Sequence, residues 1–320
     1  MKRVPLISLV VILLGLRCKD SGSLVNLGAG SVAGDNWSAI ATSLDTMEIL
    51  SLGTNQSGHV LAGVVGNGCF RSADEGITWV DLNVPSPAVQ TIAVTSTGYI
   101  FVGTLANGLL RSTDDGNRWT QVDTALHYLD YRSLAINRYN HIFAGTFSRG
   151  ISRSTDRGNN WIQINTGLTY PSVRNLAIDA NDDLYAEGEG VMHRSTDNGD
   201  HWTKLGEGLP PAESFSMAIN LDGAIFAGTL VGLYRSVDKG NSWEQIDGPL
   251  KGVRILSLAI DARRHVFAGT FGQGIFRSTD NGNSWTQVNN GLSNGYVNAL
   301  LITSHDYIFA GTQAGIYRSR

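Results

Sequence analysis

Two arginines with tyrosines beside them carry the clearest binding chemistry in this sequence. Arg132 and Arg174 occupy the same place, two residues before a leucine, in successive short apolar runs, and Tyr128 and Tyr131 precede Arg132. A guanidinium presents paired N–H donors that match a carboxylate, and tyrosine adds an apolar ring with a polar tip, so the set could bind a carboxylate or a sugar. The arginines also fit a structural interpretation, as solvated charges or, for Arg132, as the partner of Asp130.

Two glutamates stand in an irregular stretch that follows these arginines. Glu187 occupies a position that is glycine in corresponding stretches of the chain, and Glu189 comes two residues later. A carboxylate is costly to bury, so Glu187 should reach solvent or meet a cation, with Arg174 as the expected partner. Glu187 and Glu189 are therefore candidate ligand-binding residues, and a structural ion pair is the alternative for Glu187.

The elements that must position these side chains are marked by the tryptophans. All seven end one repeated phrase, which runs from Arg277 to Trp285 in its clearest copy, and successive tryptophans are 40 to 42 residues apart. A period of about 40 residues with several short strands per repeat is typical of a β-propeller with one four-stranded blade per repeat. We therefore predict an all-β, seven-bladed β-propeller. The tryptophans are Trp37, Trp79, Trp119, Trp161, Trp202, Trp243 and Trp285.

The sixth copy shows the expected strands of one blade, and the seventh copy is divided between the chain ends. In the sixth, four short runs between residues 256 and 288 are rich in β-branched or aromatic residues and bounded by Gly, Asn or Asp. Residues 297–320 repeat only the first three strands, whereas residues 37–44 match the fourth. Pairing these segments would close the ring and leave no free edge, which gives a propeller domain over 37–320.

The repeated phrase Ser-x-Asp-x-Gly-x-x-Trp resembles the Asp-box of the BNR repeat propellers, in six full copies from Ser72 to Trp285. Its aspartate can accept hydrogen bonds from backbone N–H groups of its own turn, and its glycine can adopt a positive φ. We predict a structural role, because the late bidentate Glu of a calcium loop is absent, and we predict no metal site. The aspartates are Asp74, Asp114, Asp156, Asp197, Asp238 and Asp280.

One arginine recurs in the third strand of every copy. An anion-binding ring is one interpretation, and pairing with acceptors around the aspartate turns is the one we favour. The set comprises Arg71, Arg111, Arg153, Arg194, Arg235, Arg277 and Arg318.

The resemblance also indicates which side of the ring to search for function. In propellers, ligands usually meet the loops between blades and the loops joining second to third strands, whereas the aspartate turns lie on the opposite side. Aligned inner strands place Arg132 and Arg174 in blades three and four, where the other blades have Leu50, Gln90, Phe215, Leu256 and Asn298.

Related propellers include enzymes, and their motifs test for an activity. Sialidases carry an Arg-Ile-Pro motif that this sequence lacks, and they have six blades. Xyloglucanase-type glycosidases place their acids between two propellers, and nothing in the carboxylate spacing here selects a catalytic pair. The chain is also similar to the photosystem II assembly factors of the Ycf48/HCF136 type, which implies a scaffold. We therefore predict a non-catalytic, monomeric binding or assembly scaffold for a protein or glycan, without a cofactor; the alternative is a carbohydrate-active enzyme.

The charge of the chain bears on its partners, and its first residues bear on where the protein is located. The net charge is −4 at pH 7, so no basic surface indicates nucleic acid or anionic membrane as a partner. Lys2 and Arg3 precede an apolar run over 4–16, which predicts a signal peptide over 1–17, followed by a Gly/Ser-rich tether over 18–36. Lipidation of Cys18, which would supply the only membrane contact, and ordinary cleavage near residues 28–30 are both open. The expected location is the bacterial periplasm, outer membrane or cell surface.

Overall fold

The strands form seven separate sheets of four antiparallel strands each. The structure, a computed structural model, describes residues 34–40, 43–122, 130–206, 208–210 and 214–320. Six sheets each use four consecutive strands, and the seventh combines three strands from one chain end with one from the other. The predicted blade number and strand number are confirmed. The predicted signal peptide, Cys18 and the tether up to residue 33 lie outside the described residues.

The strands are short, and the fourth strand of each blade has only two residues. The strand that precedes the blades is β1 (Ser38–Ala39). Blade one contains β2 (Ile49–Thr54), β3 (Val60–Val64), β4 (Gly68–Ser72) and β5 (Val80–Asp81). Blade two contains β6 (Val89–Val94), β7 (Ile100–Thr104), β8 (Leu109–Ser112) and β9 (Thr120–Gln121). Blade three contains β10 (Tyr131–Ile136), β11 (Ile142–Thr146), β12 (Ile151–Ser154) and β13 (Ile162–Gln163).

The remaining blades follow the same order. Blade four contains β14 (Asn175–Ile178), β15 (Leu184–Gly188), β16 (Val191–Ser195) and β17 (Thr203–Lys204). Blade five contains β18 (Ser214–Ile219), β19 (Ile225–Thr229), β20 (Gly232–Ser236) and β21 (Glu244–Gln245). Blade six contains β22 (Ile255–Ile260), β23 (Val266–Thr270), β24 (Ile275–Ser278) and β25 (Thr286–Gln287). Blade seven contains β26 (Val297–Ile302), β27 (Ile308–Thr312), β28 (Ile316–Ser319) and, as its outer strand, β1.

The N-terminal strand closes the ring, as the sequence predicts. In β1, Ser38 pairs with Arg318 and Ala39 with Tyr317 of β28. The predicted tether ends too late, however, because residues 34–36 already belong to the ring. Gly34 is buried against the Phe267 ring, and the Asp35 carboxylate lies 2.7 Å from the Arg277 guanidinium.

The hydrophobic core lies between neighbouring blades rather than within each one. One cluster joins Phe226 of blade five to Leu258 and Phe276 of blade six, and every other cluster likewise combines two adjacent blades. The inner strands are almost wholly buried, so their sequences are runs of mostly apolar residues. The fourth strands are exposed. Cys69 fills one such core position, and its burial raises the pKa of its thiol to about 12.

The recurring glycine of the second strand is required by close packing between blades. A Cβ on Gly145 would lie 2.3 Å from Ser133 Oγ and 2.8 Å from Val173 of the next blade. No side chain fits at such distances unless these neighbours shift. A residue other than glycine at this position must therefore change its surroundings, which makes Glu187 the departure to explain.

Each aspartate turn is a closed hydrogen-bonding unit, as in blade six. Asp280 Oδ1 accepts from Ser278 Oγ and from Ser284 N, both at 2.8 Å, while Oδ2 accepts from Ser284 Oγ at 2.6 Å. The Trp285 indole donates to the Gly282 carbonyl at 3.0 Å. Donation from Ser284 is the main cause that lowers the pKa of Asp280 to about 2, so this carboxylate is committed to its own turn.

The recurring arginines join adjacent blades, in agreement with the favoured interpretation. Five of them donate from Nη1 to a backbone carbonyl in the next blade's aspartate turn, at 2.5–2.7 Å: Arg71, Arg111, Arg153, Arg235 and Arg318. Arg277 contacts Asp35 at the ring closure. Arg194 departs from the pattern because it pairs with Asp183 of its own blade.

Candidate functional site

Both predicted arginines converge on one aromatic ring that the sequence analysis did not select. Phe147 follows β11 directly and is 44% exposed. The Arg132 guanidinium lies over its ring at 5.2 Å from the centroid, and the Arg174 guanidinium does so at 5.5 Å. Such contacts attract the cation to the ring quadrupole and restrict the motion of both groups. We call these three residues the Phe147 station.

Backbone hydrogen bonds fix the hairpin that carries Phe147. Phe147 N donates to the Asp130 carbonyl at 3.3 Å, and Gly150 N donates to the Pro171 carbonyl at 2.6 Å. The hairpin is thereby tied both to the loop that leads into blade three and to the loop that leads into blade four. Since Arg132 and Arg174 follow those two loops, these bonds explain why both guanidiniums reach the same ring.

Arg132 is held by the acid that the sequence nominated as its alternative partner. It is the extra residue of a β-bulge, where the pairing of β10 with β11 shifts between Tyr131 and Ser133. Its Nε lies 2.5 Å from Asp130 Oδ1, and its Nη2 donates to Oδ2 at 2.7 Å. This two-point ion pair is largely buried on the arginine side, since Arg132 is 8% exposed. The pairing with Asp130 is confirmed, and the guanidinium keeps its place over Phe147.

Tyr131 does not join this surface. Tyr131 is fully buried, in the core cluster that packs blade two against blade three. As the residue before the bulge, it points between the blades, where its Cβ lies 2.9 Å from the position of a Cβ on Gly103. Tyr128 lies outside the described residues.

Glu187 is buried and serves as an acceptor inside blade four. It is 0% exposed; its Oε2 accepts from Asn175 Nδ2 at 2.9 Å, and its Oε1 accepts from Gly190 N at 3.2 Å. Arg174 meets it through the backbone, donating from N to the Glu187 carbonyl at 2.8 Å. Asn175 stands opposite Glu187 where blade three pairs Ser133 with Gly145, so two repeat positions change together.

The Glu187 carboxylate also replaces a recurring hydroxyl. In blade three, Thr146 Oγ1 accepts from Arg149 N at 2.9 Å and so caps the hairpin between the second and third strands. Blade four has Gly188 at that place in the strand, and Glu187 accepts from Gly190 N instead. Glu189, at the tip of this hairpin, is exposed and has φ 56°. Of the two candidate glutamates, only Glu189 presents its side chain to solvent.

A shallow recess beside blade four contains an uncharged histidine. Its lining includes Tyr170, Ser172, Glu187 and His193, and it encloses about 180 Å³ including its opening. His193 is 4% exposed, and its Nε2 accepts from Thr169 N at 3.1 Å. Burial, followed by the positive charge of Lys204, lowers the pKa of His193 to about 4.

The buried histidine should make the stability of the fold depend on pH. An unfolded histidine binds its proton near pH 6.5, whereas folded His193 resists it down to about pH 4, so stability is full above pH 6.5 and falls as pH drops towards 4. Phe70 and Phe276 occupy the position of His193 in blades one and six. We therefore expect His193→Phe to reduce the loss of Tm between pH 7 and 5. His305→Asn, at an exposed histidine, is the control; equal slopes for wild type and His193→Phe would contradict the assignment.

Seven of the thirteen large hydrophobic residues that are exposed in the described part of the chain lie on the side of the ring that carries the Phe147 station. We define the loop face as the blade-to-blade loops together with the hairpins between second and third strands. Seven large hydrophobic residues are exposed there: Val65, Phe147, Tyr170, Leu230, Val231, Phe271 and Tyr296. Exposed apolar residues grouped on one face are typical of binding surfaces.

Within the described residues, neither a metal cluster nor a membrane-spanning helix is present. No group of three or more His, Cys, Asp or Glu side chains there could hold a metal ion. The described part of the chain also lacks any helix long and apolar enough to cross a membrane.

The architecture and the comparisons with known proteins agree. The chain is a seven-bladed β-propeller. The family model of the DUF6242 beta propeller domain matches residues 83–232, which is less than half of the chain. No curated protein sequence matches the chain.

Several solved structures share the fold at low identity. The extracellular domain of the putative one component system BT4673 from B. thetaiotaomicron superposes with a TM-score of 0.75 at 16% identity; 90% of this chain is covered, but it spans only 40% of that chain. YCF48 bound to D1 peptide gives a TM-score of 0.71 at 21% identity, covering 88% and 96%. The GH74 xyloglucanase from Xanthomonas campestris gives 0.72 at 16% identity, covering 89% and 53%. At these identities the likeness concerns the fold.

Proposed function

We propose that this protein is an exported, non-catalytic binding scaffold whose loop face holds a polypeptide ligand. The observation that carries the proposal is the Phe147 station, a 44% exposed ring that two guanidiniums contact. Aromatic and arginine side chains dominate the binding energy of protein interfaces, and a ring that is already fixed loses little entropy on binding. The ligand segment would place an apolar side chain on Phe147 and a carboxylate near the arginines.

The other side chains of the loop face favour a polypeptide over a glycan. Sugars stack on aromatic rings, but Val65, Leu230 and Val231 offer aliphatic surface, which suits apolar side chains of a protein. The described recess beside blade four is shallow, whereas glycan-processing sites enclose their substrate in a cleft. A broad, mildly apolar surface fits a protein segment better.

Three further observations support the scaffold. The structure of YCF48 bound to D1 peptide has the same fold, which gives one propeller of this type with a peptide ligand. The aspartate turns, which we assign as structural Asp-boxes, use their carboxylates internally on the side opposite the loop face. The apolar run at residues 4–16 supports export to the periplasm or cell surface. The proposal further takes the protein to be a monomer, with lipidation at Cys18 as its membrane anchor.

The contacts of the candidate acids argue against glycosidase chemistry. Glycoside hydrolysis needs two carboxyl groups that reach opposite sides of a glycosidic bond. Glu187 is buried and accepts two hydrogen bonds from its own blade, and Asp130 is engaged with Arg132. We expect no turnover of a panel of fluorogenic glycosides; turnover that Glu187→Gln abolishes would favour the enzyme instead.

Site-specific photo-crosslinking tests the proposed face directly. Benzoylphenylalanine placed at Phe147 should capture a protein from the cells that make this chain, because the ring would lie inside the interface. The matched control places it at Tyr139, which is 65% exposed on the opposite side of the ring. Crosslinks at both positions, or at Tyr139 alone, would contradict the assignment of the face.

The affinity of the captured protein should depend on the station. We expect Phe147→Ala to weaken its binding at least tenfold, corresponding to about 1.4 kcal/mol, because the ring is the central apolar contact. Combined Arg132→Ala and Arg174→Ala should also weaken it, whereas Tyr139→Ala should not. Binding measured by isothermal titration that Phe147→Ala leaves unchanged would remove the station from the site.

A further inference from the structure

A second aromatic station lies on the loop face, in blades six and seven. Phe271 and Tyr296 are each 36% exposed, and their rings meet edge to face with centroids 4.8 Å apart at 90°. The Arg254 guanidinium lies over the Phe271 ring at 4.8 Å from its centroid. Perpendicular rings form an apolar corner, and the cation on one of them restrains it. We call Arg254, Phe271 and Tyr296 the Phe271 station.

The Phe271 station repeats the construction of the Phe147 station. Phe271 follows the second strand of its blade as Phe147 does, and Phe271 N donates to the Arg254 carbonyl at 2.9 Å. Gly274 N donates to the Gly295 carbonyl of the next blade-to-blade loop at 3.0 Å, as Gly150 N does to Pro171. Both stations therefore present an arginine-backed phenylalanine from the same kind of hairpin.

The two stations are separated around the ring but linked by apolar surface. One belongs to blades three and four and the other to blades six and seven, so they lie on opposite sides of the central channel. Blade five, between them, exposes Leu230 and Val231 on the same face. A polypeptide that reaches from one station to the other would stay on apolar surface for part of its path.

We propose that the Phe271 station is a second subsite for the polypeptide ligand, and that the protein binds this ligand at two points across the channel mouth. This inference rests on the proposed function. The segment held here carries an aromatic or branched aliphatic side chain, which packs into the corner between Phe271 and Tyr296. An acidic residue beside that side chain suits the positive charge of Arg254. Two weak contacts made by one polypeptide give a much higher combined affinity, because the second contact becomes intramolecular once the first has formed.

A selected peptide ligand tests both the proposed function and the second subsite. The peptide is selected from a phage-displayed library of random linear dodecapeptides, and the best one is synthesised with a fluorophore. Affinity is measured by fluorescence anisotropy for wild type, Phe147→Ala, Tyr296→Ala and the double variant Phe271→Ala with Tyr296→Ala. We expect the selected peptide to carry two apolar positions flanked by Asp or Glu. The variants at either station should each weaken binding of the selected peptide at least fivefold. Leu221→Ala, at a residue 59% exposed on the opposite face, is the matched control.

The outcomes separate this inference from the proposed function. If Phe147→Ala weakens the peptide while both Tyr296 variants bind as wild type, the second subsite is wrong and the scaffold proposal stands. If none of the variants weakens it, or no peptide is selected, both are wrong. A defined oligosaccharide panel, measured in parallel, would overturn the polypeptide assignment if Tyr296→Ala removed binding to a glycan. The single Tyr296→Ala variant covers the case in which the double variant fails to fold.

Discussion

Replacement of Trp37 by alanine should lower the free energy of unfolding by about 3–5 kcal/mol, the range for truncation of a large buried aromatic side chain. Trp37 is 4% exposed and packs in the cluster that contains Val288 of blade six and Tyr317 of blade seven. Its indole Nε1 donates to the Val288 carbonyl, and its backbone N donates to the Asn290 carbonyl, each at 2.7 Å. The substitution would remove the largest contact that holds the closing strand.

The matched control is Trp79→Ala, and equilibrium denaturation in guanidinium chloride is the measurement. Trp79 is only half-buried, and its indole bonds to Gly76 within its own turn at 3.0 Å. The loss there should be smaller, since no chain closure depends on it. Equal losses for Trp37→Ala and Trp79→Ala would mean that ring closure does not rely on Trp37.

Glu187→Ala should cost about 3 kcal/mol of stability, although the repeat has a small residue at this position. Removal of the carboxylate leaves the buried Asn175 Nδ2 and the partly buried Gly190 N without this acceptor, and a buried donor left unsatisfied costs about 1–3 kcal/mol. The expected result is a lower denaturation midpoint with an unchanged slope. Because blade four has changed both members of the Ser–Gly pair, a change of one member alone does not restore the packing of its neighbours.

Two further variants determine whether the effect arises from hydrogen bonding. Glu189→Ala alters an exposed side chain two residues away and should change stability by less than about 0.5 kcal/mol. In contrast, Glu187→Ala combined with Asn175→Ser should recover part of the loss, because it removes the stranded amide and recreates the usual pair. Additive losses in the double variant would show that Asn175 and Glu187 do not act as a unit.

The architecture was predictable because it depends on the repeat period and on the residue types of the strands, and both recur in every repeat. Seven tryptophans gave the blade count, and the missing fourth strand after Arg320 together with Trp37 gave the closure, which the pairing of Ser38 with Arg318 confirms. The boundary of the tether was predicted too late, because the contacts of Gly34 and Asp35 join distant parts of the chain.

The candidate site was only partly predictable. Arg132 and Arg174 come together as their aligned positions indicated, but the ring they share was missed, because its exposure depends on how two loops hold one hairpin. A repeat comparison could have shown that Phe147 and Phe271 both follow a Gly-Thr pair. It could also have paired Glu187 with Asn175, since Asn175 replaces the usual serine. It could have indicated the burial of Tyr131 as well, since Ile49, Val89, Ile255 and Val297 hold the same place in their repeats and are buried.

The closing strand has a consequence for synthesis. Trp37 and the Val288 carbonyl that it bonds are 251 residues apart in the chain. A polypeptide that leaves the ribosome N-terminus first therefore carries β1 without its partner until β28 has emerged. During that interval the nascent protein is an open arc with two unpaired ends, so a premature stop in the last repeat should yield a species prone to chaperone capture and degradation.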